Sequence, residues 1–121
     1  MKELLLNIIF IGQLTITAYR SVPEQTKGKG HTKAECLYTS IGERVNIHGC
    51  AISRDLLSSG QIHYGDLIYI EGIGFKFVND CMNQRHTNSL DIWVRFKNEE
   101  HKIWIGQRKR KVWVIIKQGA N

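Results

Sequence analysis

Two aspartates, with an indole beside one of them, are the residues best suited to chemistry in this chain. In Leu90-Asp91-Ile92-Trp93-Val94-Arg95-Phe96 the apolar residues alternate, which puts Leu90, Ile92, Val94 and Phe96 on one face of a strand and Asp91, Trp93 and Arg95 on the other. A carboxyl between Leu90 and Ile92 at the start of a strand is partly desolvated. That raises its pKa and lets it keep a proton near neutral pH, as a general acid must. The competing reading is a strand-start aspartate bonded to turn amides. Asp80 ends the strand before, and the loop Asn83-Gln84-Arg85-His86-Thr87-Asn88-Ser89 between the two is polar throughout. Pairing of these strands as a hairpin would bring Asp80 and Asp91 together as carboxylates that divide acid and base roles. The alternative is a pair of solvated loop carboxylates, one of them neutralised by Arg85.

No metal chemistry is indicated. Cys36, Cys50 and Cys81 form no CxxC pair, and His31, His48, His63, His86 and His101 show no ligand spacing. No cofactor and no metal are expected. The odd number of cysteines allows at most one disulfide within the chain and leaves the redox compartment open.

Positioning two carboxylates takes a rigid scaffold, and the sequence reads as strands. Gln13 to Tyr19 alternates, with Leu14, Ile16 and Ala18 inward and Thr15, Thr17 and Tyr19 outward. Val45 to Ser53, Leu67 to Ile70, Phe75 to Cys81, Leu90 to Phe96 and Val112 to Lys117 follow, with a short helical turn over Arg54 to Ser59. Six strands suit a small closed barrel. Ser21 to Glu43, rich in Lys, Gly, Thr and Ser, reads as a long surface loop in the N-terminal half. Residues 1–12 stand apart as an apolar segment. Leu4 to Ile11 has the length of an export-signal core but follows Glu3 and lacks a small-residue cleavage site, so a first structural element is the other reading. It is too short to span a membrane as a helix.

With 121 residues the chain is one domain's worth, and eleven glycines against one proline tilt it towards an all-β fold. The excess of seventeen cations over eleven anions gives +6, which favours anionic partners without choosing among nucleic acid, wall polymers and a membrane surface. The cations concentrate at Lys27, Lys29 and Lys33 and in Arg108-Lys109-Arg110-Lys111. Aromatic residues do not interleave with them, apart from Trp104 and Trp113, so nucleic acid is not expected as a partner. A solvated edge that discourages strand pairing is the simpler role for the basic run.

Several segments, in order, resemble one family. Thr15-Ile16-Thr17-Ala18-Tyr19, Ser21-Val22-Pro23-Glu24-Gln25-Thr26, Ala51-Ile52-Ser53-Arg54-Asp55-Leu56, Gly65-Asp66-Leu67-Ile68-Tyr69-Ile70-Glu71-Gly72, Asn79-Asp80-Cys81-Met82-Asn83 and Leu90-Asp91-Ile92-Trp93 look like the 3D domain, named for three aspartates. The resemblance covers 13 to about 117. It implies that residues 13–121 form a six-stranded double-psi β-barrel similar to the catalytic domain of membrane-bound lytic transglycosylase A. It further implies a peptidoglycan lytic transglycosylase, a lyase of the cell wall, with a non-catalytic glycan-binding module as the alternative.

Under that resemblance Asp91 falls on the catalytic acid and Asp80 on the aspartate of the neighbouring turn. Thr17, Tyr19, Asp55, Asn83, Arg85 and Trp93 become candidate substrate contacts. Departures accompany the match: where the family's first aspartate usually stands, either Ser53 replaces it or Asp55 supplies a shifted equivalent, and Cys81 replaces a usual threonine. The implied partner is a glycan strand bound by a monomer. The implied location is the cell envelope, periplasmic or secreted, in a bacterial or phage setting. Cys36 and Cys50, both bordering the long loop, are the expected disulfide pair.

Overall fold

The computed structural model describes residues 5–20 and 39–118. Six strands, β1 (Leu5–Tyr19), β2 (Gly49–Ile52), β3 (Leu67–Ile70), β4 (Gly74–Cys81), β5 (Ser89–Trp93) and β6 (Lys109–Gln118), close into a mixed barrel in the order β1-β5-β2-β4-β3-β6. Two short helices, α1 (Arg54–Ser58) and α2 (Lys97–Ile105), lie between strands. The closed mixed barrel is compatible with a double-psi arrangement.

Alternation fills the interior. Leu14, Ile16 and Ala18 of β1, Cys50 and Ile52 of β2, Ile68 and Ile70 of β3, Val78 of β4, Leu90 and Ile92 of β5, and Val112 and Val114 of β6 form one buried cluster. Most are β-branched, which suits a pleated wall. Each large side chain buried there contributes about 1.5–3 kcal/mol.

Several details depart from the sequence reading, among them three strand boundaries. First, β1 begins at Leu5 rather than Gln13. Residues 5–10 pair antiparallel with β6 from Leu5↔Gln118 to Phe10↔Trp113, so the apolar segment is continuous with the first strand. The ladder shifts register between Phe10 and Gly12, where Gly12 holds φ 134, a conformation open to glycine. Second, β5 ends at Trp93. Phe96 is exposed and precedes α2, where its backbone N–H donates to Glu99 Oε1 at 3.1 Å. Third, the expected strand over Val45 to Ser53 narrows to Gly49–Ile52. Most of the expected long loop, with Lys27, Lys29, Lys33 and Cys36, lies outside the described residues. Cys50 is a free thiol, wholly buried among Ile52, Val78 and Ile92, which overturns its expected pairing. Cys50 faces the barrel interior, and Cys36 lies outside the described residues.

Candidate active site

The two aspartates do come together, though not by the hairpin expected. β4 and β5 are not neighbours, because β2 runs between them. Ala51 of β2 lies opposite Asp91 in the antiparallel ladder to β5 and opposite Asp80 in the parallel ladder to β4. Thr17 of β1 lies opposite Asp91 on the other side. The result is a row, Thr17-Asp91-Ala51-Asp80, across four adjacent strands. With strands about 4.8 Å apart, the two aspartate backbones are separated by roughly 10 Å.

A bulge makes this register possible. Cys50 pairs with Val78 but Ala51 pairs with Asp80, so Asn79 is the extra residue. Without that insertion Asp80 would turn into the core. Asn79 packs against bare backbone at Gly49, where a Cβ would lie 2.4 Å from its amide nitrogen.

Each carboxylate has its own set of donors. Thr17 Oγ1 donates to Asp91 Oδ1 at 2.7 Å. Asp80 Oδ1 accepts from the backbone N–H groups of Ser40 (2.9 Å) and Cys81 (2.8 Å) and from the Ser40 hydroxyl, while Tyr19 Oη donates to Oδ2 at 3.4 Å. The Cys81 thiol lies 3.3 Å from Ser40 Oγ. Among these contacts Asp91 takes few donors and much burial, and its pKa is pushed up to about 6. Desolvation is the main cause, opposed by the Thr17 hydrogen bond and reinforced by the charges of Asp80 and Glu100. Burial, with the charges of Asp80 and Asp91, drives the Tyr19 phenol far above its ordinary range.

Trp93 joins this group as the neighbour of Tyr19 in the β1 to β5 ladder, two residues beyond Asp91 on the same face. The other candidates make their contacts elsewhere, Asp55 with Ser53 and Asn88, and Asn83 and Arg85 within their own turn. Asp55 is exposed in the first turn of α1 and accepts the Asn88 N–H at 3.0 Å. Burial pushes its pKa up, but hydrogen bonds from Ser53 and from the amides of Asn88, Asp55 and Leu56 outweigh it, so the net direction is down. Ser53 is wholly buried, and its Oγ accepts the Ser89 N–H at 3.0 Å. Asn83 Oδ1 caps the Arg85 N–H at 3.1 Å, and Arg85 reaches His86, so both shape the turn after β4.

Some members of the site were not anticipated. Ser40 belongs to the long surface loop expected over Ser21 to Glu43, and Tyr64 to an expected turn, neither of them a candidate site residue. Tyr64 bonds Cys81 and Ser40, and its pKa is pushed up to about 12 by burial and by the neighbouring Cys81 and Asp80. Glu100, from the unanticipated α2, is buried, pairs with Arg20 at 3.4 Å and adds to the field at Asp91. The short Glu99-Glu100 pair after Phe96 was the available hint, since acidic residues favour a helix N-terminus.

Among the described residues no group of three or more His, Cys, Asp or Glu side chains is placed to hold a metal, and no helix is long and apolar enough to cross a membrane. The basic run is partly engaged in structure: Arg110 donates to the Glu71 carbonyl at 3.0 Å, and the Arg108 guanidinium lies 5.0 Å from the Trp104 ring centre. Compared with known proteins, the chain matches no family model and no curated protein.

Proposed function

We propose that this barrel is a 3D-type, double-psi domain acting as a peptidoglycan lytic transglycosylase, with Asp91 as its acid. The observation that carries the reading is the same-face pairing of a carboxyl raised to about 6 with a second carboxylate held by fixed donors. Protonated Asp91 donates to the glycosidic oxygen between N-acetylmuramic acid and N-acetylglucosamine, and the C1–O bond breaks towards an oxocarbenium-like state. The resulting Asp91 carboxylate takes the proton of the muramic C6 hydroxyl, whose oxygen closes on C1 to give the 1,6-anhydro end. The nucleophile is intramolecular, so positioning replaces an activated water. Burial, reinforced by the charge of Asp80, favours the protonated form of Asp91, Thr17 fixes the Asp91 rotamer, and Tyr19 and Trp93 border the sugar.

A second reading is a glycan-binding module that does not cut. It is favoured by the enclosure of Asp80 and Tyr19, 9% and 8% exposed, and by the structural use of Ser53 and Asp55 where a third acid would stand. Digestion of purified sacculi, with mass spectrometry for anhydro-muramic ends, separates the two. The expected result is anhydro product that falls at least ~10²-fold in Asp91→Asn and less in Asp80→Asn. Binding of glycan without anhydro product from the parent protein would establish the module instead.

A further inference from the structure

The wall of the barrel across from Asp91 carries an unusual surface. On the outer face, Phe10, Trp113, Tyr69 and Phe75 occupy one register row across β1, β6, β3 and β4. One step along the strands, Ile8, Ile115, Leu67 and Phe77 occupy the next. The rings touch, with centres 5.5 Å apart for Phe10 and Trp113, 5.9 Å for Trp113 and Tyr69, and 4.9 Å for Tyr69 and Phe75. Between them lies a groove of about 300 Å³. Ile8, Phe10, Phe75 and Phe77 are each at least half exposed (65%, 54%, 57% and 50%). Together with Tyr69 they present on the order of 500 Å² of apolar surface, at the upper end of what a monomer leaves bare.

We infer that this wall seats the protein on a phospholipid surface, with Asp91 turned away from it. Three observations select that occupant. The outer wall of a closed barrel is convex, and two convex walls meet along a strip. A second copy would therefore cover only part of this area, short of the roughly 800 Å² per partner of a stable pair. A fluid interface conforms to a convex wall, and mixed Trp, Tyr and Phe rings suit the headgroup level. Lys109 and Lys111, exposed on the same face of β6 two and one steps before Trp113, border the aromatic rows and match anionic headgroups. Glu71 also stands at this edge, where its carboxylate accepts the Lys111 backbone N–H at 3.4 Å, leaving two lysines against one carboxylate. In the ring order β5 and β2 face β3 and β6 across the barrel. The inference does not depend on the reaction proposed above.

The test is co-sedimentation of the full chain with vesicles of phosphatidylcholine, alone or mixed with phosphatidylglycerol, compared with Phe75→Ser/Phe77→Ser and Ile8→Ser variants. Thermal unfolding checks that each variant is folded. The expected result is pelleting of the parent with both vesicles, stronger with phosphatidylglycerol, and loss of pelleting in the folded variants. Lys109→Gln and Lys111→Gln should each weaken the phosphatidylglycerol preference on the order of fivefold. Parent protein that stays in the supernatant, or variants that pellet like the parent, would overturn it. So would a parent dimer that dissociates on Phe75→Ser/Phe77→Ser, since a second copy or another protein surface would then be the occupant.

Discussion

In an unfolded chain Asp91 titrates near the ordinary aspartate value of about 3.9, whereas in the barrel burial pushes it up to about 6. Between these values the folded state binds a proton that the unfolded state releases, so folding loses stability as pH rises through that window. The favourable contribution is complete below about pH 4 and gone above about pH 6. A shift of about two units corresponds to roughly 3 kcal/mol as an upper bound. Asp91→Asn removes the buried charge and is expected to stabilise the protein by up to that amount near neutral pH, and by little below about pH 4. Urea unfolding at both pH values checks this, and a variant less stable than the parent at neutral pH would contradict the burial. Thr17→Val keeps the side-chain shape but removes the donor that lowers Asp91. Titration followed on the carboxyl carbon by NMR should then move further up.

Two elements hold the row in register. Gly49 leaves room for Asn79, and the Asn79 bulge turns Asp80 outward. Gly49→Ala should cost about 1–3 kcal/mol through overpacking. In a double-mutant cycle with Asn79→Ala the two losses should fall short of additivity, because the second change removes the clash. Helix α2 acts through charge. Glu100→Gln removes one contribution that raises Asp91, so the acid's titration should shift down, the opposite of Thr17→Val. The strands around Leu14, Ile68, Val78, Leu90 and Val114 were legible because one face is buried and period two is hard to mistake. Asp91 was legible for the same reason, as a polar residue between apolar neighbours. The bulge at Asn79 was not, since one extra residue leaves no mark on the alternation. The place of β2 between β4 and β5 was hidden too, because strand neighbours across a crossover are chosen by tertiary packing. Helix α2 escaped because its only fully buried member is Glu100, and an apolar stripe is what sequence reading looks for.

At the scale of the molecule, the long β1 to β6 ladder ties residues 5–10 to the far end of the described chain. Removing residues 1–12 should leave the outer half of β6 without its partner, lowering the midpoint of thermal unfolding and promoting aggregation through an open strand edge. Mass measurement of the protein isolated from cells should accordingly find the segment retained. A truncated form as stable as the full chain would mean that the segment is dispensable. The same ladder also dictates timing. The ring closes by joining the first described strand to the last, so no arrangement of the first five strands is a finished barrel, however long the ribosome pauses. A nascent chain must keep Ile8, Phe10, Leu14 and Ile16 out of trouble until Val112 and Val114 have left the exit tunnel. Folding then depends on contacts about a hundred residues apart, the class of topology that folds in milliseconds to seconds rather than microseconds. For that interval a waiting β1 is a natural client for a chaperone that binds extended apolar segments.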